Sequence, residues 1–170
     1  LKYISSDTNV WLDFDAISCV DFPFMLPYTY IMYKEALREE IIDPPELIGK
    51  LITKGLKIVE LYDEELFLAE LLSNKYKKIS GYDSIALSIA INRKIVLLTG
   101  DAALRKAALS EGVDVIGTIG IIDKLLSMNQ ISTDEYKECL NELLSHPERR
   151  LPKEEIEKRL KEVRRIESRK

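Results

Sequence analysis

Lys94-Ile95-Val96-Leu97-Leu98-Thr99-Gly100-Asp101 decides the fold. Its continuous Ile-Val-Leu-Leu run lacks the polar alternation of a half-exposed strand, so it reads as a parallel strand covered on both faces. Gly100-Asp101 turns the chain, and residues 102–110 read as a helix closed by Gly112. Downstream, Val113-Asp114-Val115-Ile116 is a last strand and residues 119–128 a helix. Upstream, Ser80-Gly81 opens a helix over residues 82–92 with small and apolar residues on several faces, the pattern of a buried helix. Before it come a helix from Asp63 or Glu64 through Leu72, a strand within residues 56–61, and a short helix over residues 45–53. Asp43-Pro44-Pro45 breaks the chain ahead of that helix, because proline cannot continue one. Residues 31–40 look helical and follow an apolar run at residues 22–28. Tyr3-Ile4-Ser5 leads into Asp7, and a helical pattern starts at Val10. This alternation predicts a three-layer α/β/α sandwich with a central parallel sheet over residues 1–128. Residues 129–170 form a C-terminal helical extension, with one helix at 133–144 capped by Ser132 or Thr133 and another from 152 to about 168. The second carries a narrow apolar seam of Ile156, Leu160, Val163 and Ile166, which calls for packing against something.

Composition narrows the chemistry. With 170 residues the chain can bury a sizeable core without disulfides or a structural metal. Its apolar runs are far shorter than the roughly 20 residues of a membrane span. The first residues show no apolar signal-peptide core, and a cytoplasmic protein is expected. Cys19 and Cys139 form no CxxC or Cys/His pair and read as two separate core thiols. The one histidine, His146, stands before Pro147 at a loop edge. Histidine-based catalysis is thereby disfavoured, which leaves carboxylates, lysines or a metal. The net charge of −4 divides into an acidic body, −8 over residues 1–146, and a basic tail, +4 over residues 147–170.

Ligands of a parallel sheet bind beyond the carboxyl ends of its strands. Asp7 follows the first strand and Asp101 the strongest one. Asp83 lies in the first turn of the helix before that strand, and Glu35 in the helix after the apolar run at 22–28. Two such charges about 4 Å apart repel by roughly 4 kcal/mol at an effective dielectric near 20. Either a proton or a cation must then offset them. An all-oxygen set favours Mg²⁺ or Mn²⁺, which acidifies a water and steadies charge on a phosphoryl centre. Each acid also has a purely structural reading. Asp7 and Asp83 suit helix caps, Asp101 a turn and Glu35 a solvated helix face. Periodicity alone does not bring them together.

Four segments together resemble a PIN domain: Ser6-Asp7-Thr8-Asn9-Val10, Lys34-Glu35-Ala36-Leu37, Gly81-Tyr82-Asp83-Ser84-Ile85-Ala86-Leu87, and Leu97-Leu98-Thr99-Gly100-Asp101-Ala102-Ala103-Leu104. The likeness covers about residues 1–128. It implies a divalent-metal-dependent ribonuclease that hydrolyses phosphodiesters with a metal-activated water. It further implies that Asp7, Glu35, Asp83 and Asp101 are an acidic quartet holding Mg²⁺ or Mn²⁺, supported by Asn9 and Thr99. Glu39 and Glu40 are the alternatives to Glu35. Some family members carry a further acid at the position of Ala103, so a second metal would be held more weakly here. An RNA substrate, an antitoxin protein of a VapC-type toxin–antitoxin pair, and a homodimer are the partners implied. The alternative is a catalytically silent PIN-fold binding module. A phosphotransferase using an aspartyl phosphate would carry a second acid at the position of Asn9, and does not fit.

Three other signals are weaker. Phe22, Phe24, Tyr28, Tyr30 and Tyr33 suit a core better than a base-stacking platform. Gly117-Thr118-Ile119-Gly120 suits a helix start better than a dinucleotide loop. Arg105 and Lys106 are equally suited to substrate phosphates and to a solvated helix face.

Overall fold

The computed structural model describes residues 2–170. Five parallel strands, β1 (Lys2–Ser6), β2 (Tyr28–Tyr33), β3 (Lys57–Val59), β4 (Val96–Leu98) and β5 (Val115–Ile116), pair in the order β3-β2-β1-β4-β5. The helices are α1 (Thr8–Ala16), α2 (Lys34–Glu40), α3 (Leu47–Lys54), α4 (Asp63–Lys75), α5 (Gly81–Arg93), α6 (Ala102–Ser110), α7 (Thr118–Ser127), α8 (Thr133–Leu144) and α9 (Lys153–Glu167). This is the α/β/α sandwich with a parallel sheet that the alternation predicts.

The strand 96–98 shows why its reading carries the fold. Leu97 and Leu98 are both fully buried, but on opposite faces. Leu98 joins the larger core with Trp11, Phe14 and Ile121, whereas Leu97 joins the smaller one with Leu87, Leu104 and Ala108. Layers on both sides leave no polar face, hence no alternation.

The second strand lies elsewhere than expected. Residues 22–25 form a 3-10 turn, and β2 occupies Tyr28–Tyr33, so the helix begins at Lys34 rather than Ile31. Tyr28-Thr29-Tyr30-Ile31 pairs in register with Lys2-Tyr3-Ile4-Ser5, and this burial between neighbours overrides the helical spacing. Helix starts are legible in their caps. Ser80 and Asp83 form a reciprocal capping box on α5, as do Ser132 and Glu135 on α8. Gly112, at φ 75°, takes the left-handed position after α6 that a side chain would resist.

The aromatics fall where a core was expected. Trp11 stacks on Phe24 at 5.3 Å, and Tyr30 meets Trp11 edge-on at 5.2 Å. The C-terminal helices pack on the same chain. Ile156, Leu160 and Val163 of α9 and Tyr136, Leu140 and Leu143 of α8 enter the larger core, while Ile166 of the seam stays exposed. Two polar ties fix this extension. Arg149 donates to buried Asp13 on α1 (2.7 Å), and Arg159 to Asp123 on α7 (2.9 Å). The two cysteines are not separate, contrary to expectation. Both are free thiols of one core: Cys139 is buried in it and Cys19 packs against it, near enough for each to shift the titration of the other, while Cys19 donates to the Ile17 carbonyl at 3.3 Å. The 120-residue separation hides that contact from sequence.

Candidate functional site

The strand order reverses direction about β1: β2 and β3 are laid down on one side, β4 and β5 on the other. Between β1 and β4 the connections leave the sheet in opposite directions, which opens a crevice beyond their carboxyl ends. Asp7 stands there. Its N–H continues the ladder to the Leu98 carbonyl at 2.9 Å. Its backbone is still extended, so it caps α1, and Oδ1 accepts the Thr8 N–H at 2.7 Å. Its Oδ2 accepts from Thr99 Oγ1 at 2.9 Å, and that hydroxyl accepts the Asp101 N–H at 3.1 Å. Asp101 in turn caps α6, Oδ1 accepting the Leu104 N–H at 2.7 Å. Asp83, third residue of α5, accepts the Ser80 N–H on Oδ2 at 2.8 Å. Three acids thus sit at three helix N-termini, where backbone N–H groups and the helix dipole favour anions.

Their charges act on one another. Asp7 is 4% exposed. Burial and then the Asp83 charge push its carboxyl up to about 7, against the hydrogen bonds from Thr99 and Thr8, and Glu40 adds repulsion. Burial raises Asp83 as well, with Ser80 opposing and Asp101 reinforcing the shift. Among the described residues, none of Asp7, Glu35, Glu40, Asp83 and Asp101 pairs with a lysine or arginine.

The three acids of α2 divide their work. Glu40 accepts from Thr8 Oγ1 at 2.8 Å and lines the small cleft that Asp7, Tyr33 and Tyr82 share. Burial raises its carboxyl, Thr8 lowers it and Asp83 raises it further. Glu39 accepts from the Tyr82 hydroxyl. Glu35 lies in the first turn, just beyond β2, and its charge is felt at Tyr82. Among the described residues its carboxylate makes no hydrogen bond. Glu35 is therefore unspent, whereas Glu40 is tied to the α1 turn beside Asp7. Of the two supporting residues expected, Thr99 bridges Asp7 and Asp101. Asn9 is exposed and offers only its backbone carbonyl, which accepts from Arg149 at 3.0 Å.

Sequence reasoning missed Thr8 and Asp13. Thr8 is the second half of an Asp-Thr helix start, and its hydroxyl reaches residue 40 only through the fold. Asp13, 3% exposed, accepts from Thr118 at 2.6 Å and from Arg149 at 2.7 Å, and lies beneath Gly100. Burial raises its carboxyl, against the Thr118 and Arg149 bonds that lower it.

The donor set suits a hard divalent cation. It is all oxygen, mutually repelling and without a protein counter-ion. Among the described residues no three acidic, histidine or cysteine side chains are close enough to hold an ion unaided.

No helix among the described residues is long and apolar enough to cross a membrane. No curated protein matches the sequence significantly. A family model described as PIN domain matches residues 5–165, which takes in the helical extension as well as the sheet. With nearly its whole length matched and the parallel α/β/α architecture present, this chain belongs to the PIN domain family.

Proposed function

We propose that this chain is a divalent-metal-dependent ribonuclease. The family has a nuclease-type fold and implies a nucleic-acid substrate. The reading rests on one observation: Asp7, Asp83 and Asp101 lie around the switch point of the sheet, Asp83 repelling Asp7 and Asp101 repelling Asp83, and among the described residues none of them pairs with a lysine or arginine. In this reading Asp7, Glu35, Asp83 and Asp101 hold Mg²⁺ or Mn²⁺, and Glu40 positions Asp7 through Thr8. The metal, when bound, neutralises the acids, steadies charge on the scissile phosphate and makes a water acidic enough to attack it. Thr99 orients the Asp7 carboxylate and the Asp101 backbone together. Exposed Asp101 meets the substrate side, and buried Asp7 forms the floor. Capping fixes three of the carboxylates before substrate arrives, so little reorganisation is left to the reaction.

The deciding experiment is cleavage of mixed RNA substrates with Mg²⁺ or Mn²⁺ by wild type and Asp101→Asn. Metal-dependent cleavage lost in the variant supports the reading. Wild type inert on RNA and DNA, with no metal uptake in calorimetry, overturns it in favour of a silent binding module. We further read the chain as the toxin of a pair whose antitoxin protein covers the acidic cleft, acting in the cytoplasm. Induced expression should then arrest growth for wild type and not for Asp101→Asn. A homodimer goes with this reading, and exposed Leu66, Phe67 and Leu71 on α4 are an apolar face for a second copy to cover. Phe67→Glu should then give a monomer by light scattering.

A further inference from the structure

Arg149 and Arg150 are neighbours with opposite roles. Arg149 is spent inside the protein, on Asp13 at 2.7 Å and on the Asn9 carbonyl at 3.0 Å. Arg150 caps the 3-10 turn Pro147–Arg149 in the left-handed region, at φ 54° and ψ 32°. It is exposed and, among the described residues, has no ion pair. The Arg149 anchor fixes where the turn lies, so Arg150 is held at the rim of a cleft of about 550 Å³. Gly100, Arg105, Gly117, Arg150, Pro152 and Arg159 line that cleft. It therefore begins one residue from Asp101.

Arg105 lines the same cleft, one turn into α6, with its backbone N–H on the Asp101 carbonyl at 2.9 Å. Gly117 makes room for it. A Cβ there would lie 3.0 Å from Arg105 Nη2 and 3.3 Å from the Thr99 carbonyl. The absent side chain lets the guanidinium lie against the start of α7, next to the residue that orients Asp7. Arg159 is neutralised by Asp123 and Glu155, which leaves Arg105 and Arg150 as the cleft's positive charges without an ion pair among the described residues. The first N–H groups of α7, uncapped by any side chain, add to it. An acidic body thus carries a basic cleft that abuts its acidic centre. A ligand spanning both needs repeated anionic groups, one for the arginines and the next for a cation at the acids. Val115, Ile119 and Leu151 give the cleft an apolar floor that suits bases or sugars.

We propose that this cleft binds the phosphodiester backbone of single-stranded RNA on its way to Asp101, with Arg105 and Arg150 as the phosphate contacts. The helical extension thereby becomes part of the substrate site. The proposal rests on the nuclease reading for its choice of ligand. Its test is made with cleavage disabled, by fluorescence anisotropy of a labelled single-stranded RNA in EDTA. Arg105→Gln and Arg150→Gln should each weaken binding about tenfold. Each should also remove about 0.7 from the slope of log affinity against log salt. Lys50→Gln, an exposed charge removed from α3, should leave both unchanged. Thermal melts matching wild type show that the variants fold. Wild-type affinity and slope in both arginine variants, or no binding of RNA by wild type, overturns the proposal. If RNA is cleaved with metal but the arginine variants bind like wild type, this inference alone fails. If the variants lose binding but wild type never cleaves, the ribonuclease reading alone fails.

Discussion

Asp7→Asn should make the metal-free protein more stable at pH 8 and no more stable at pH 4. The carboxyl of Asp7 is pushed from 3.8 up to about 7 by burial and by the Asp83 charge. The folded state therefore binds this proton more tightly than the unfolded chain does. The contribution to stability is complete below 3.8 and is lost as pH rises through about 7. One pH unit is worth about 1.36 kcal/mol, so the ionised carboxylate costs the apo fold about 4 kcal/mol at pH 8. Asparagine removes that cost. It keeps an oxygen for the Thr8 N–H, but its amide meets Thr99 Oγ1, which already accepts from Asp101, so the hydroxyl must find a new acceptor. That loss is worth about 1 kcal/mol. The net gain is about 3 kcal/mol, or roughly 6–12 °C in melting temperature for a chain of this size. Urea unfolding in EDTA at pH 4 through 8 measures it. A divalent ion at about 1,000 times Kd should reverse the order, since it adds about 4.1 kcal/mol to wild type alone. A pH-independent difference, or a variant less stable than wild type at pH 8, refutes the account of Asp7 as a desolvated, repelled acid.

Three further outcomes follow from the same contacts. Glu35→Gln should lower Mn²⁺ affinity by about tenfold or more in calorimetry, whereas Glu40→Gln should retain more of it and lower the titration midpoint of Asp7 by removing a repelling charge. Arg149→Met should cost about 3 kcal/mol in urea unfolding, because it leaves Asp13 buried with only Thr118 as partner. Leu160→Ala should cost about 2–5 kcal/mol in a single transition, because that side chain is 5% exposed within the larger core.

Strands packed on both faces and helix starts at a serine were legible from sequence because their signals are local. Residues 94–101, Ser80 and Ser132 each announce themselves within a few positions, whereas the reciprocal bonds to Asp83 and Glu135 are seen only in the structure. The second strand was displaced because Tyr28–Tyr33 carries no alternation and is defined by its pairing with β1, a contact between distant residues. The placement of Asp7, Asp83 and Asp101 around the switch point was legible because each sits at a strand end or in a first helical turn. The roles of Thr8, Glu40 and Asp13 were not legible. Thr8 reaches across 32 positions to Glu40, and Asp13 across 136 to Arg149. The same distance effect hid the meeting of Cys19 with Cys139.

For Asp7, Asp83 and Asp101, capping a helix and the proposed role as a metal ligand are compatible in this fold. A parallel α/β/α sheet starts its helices at the carboxyl ends of its strands, so the switch point collects helix N-termini. An aspartate that caps such a helix has one oxygen taken by a backbone N–H, as in Asp83 and Asp101, and keeps the other for a ligand. The cap holds the carboxylate in place. The helix dipole offsets part of the repulsion, about 0.3–1 kcal/mol at each end and up to about 2 where partly buried. Without those dipoles, Asp7 and Asp83, which burial and a neighbouring acid already push toward the protonated form, would be pushed further. With them the apo protein stays folded but strained in charge, and Asp7, the most buried of the three, carries most of the excess. Neutralising Asp7 therefore relieves the fold and should abolish metal binding through the same carboxylate, so stability gained and function lost are expected from a single substitution.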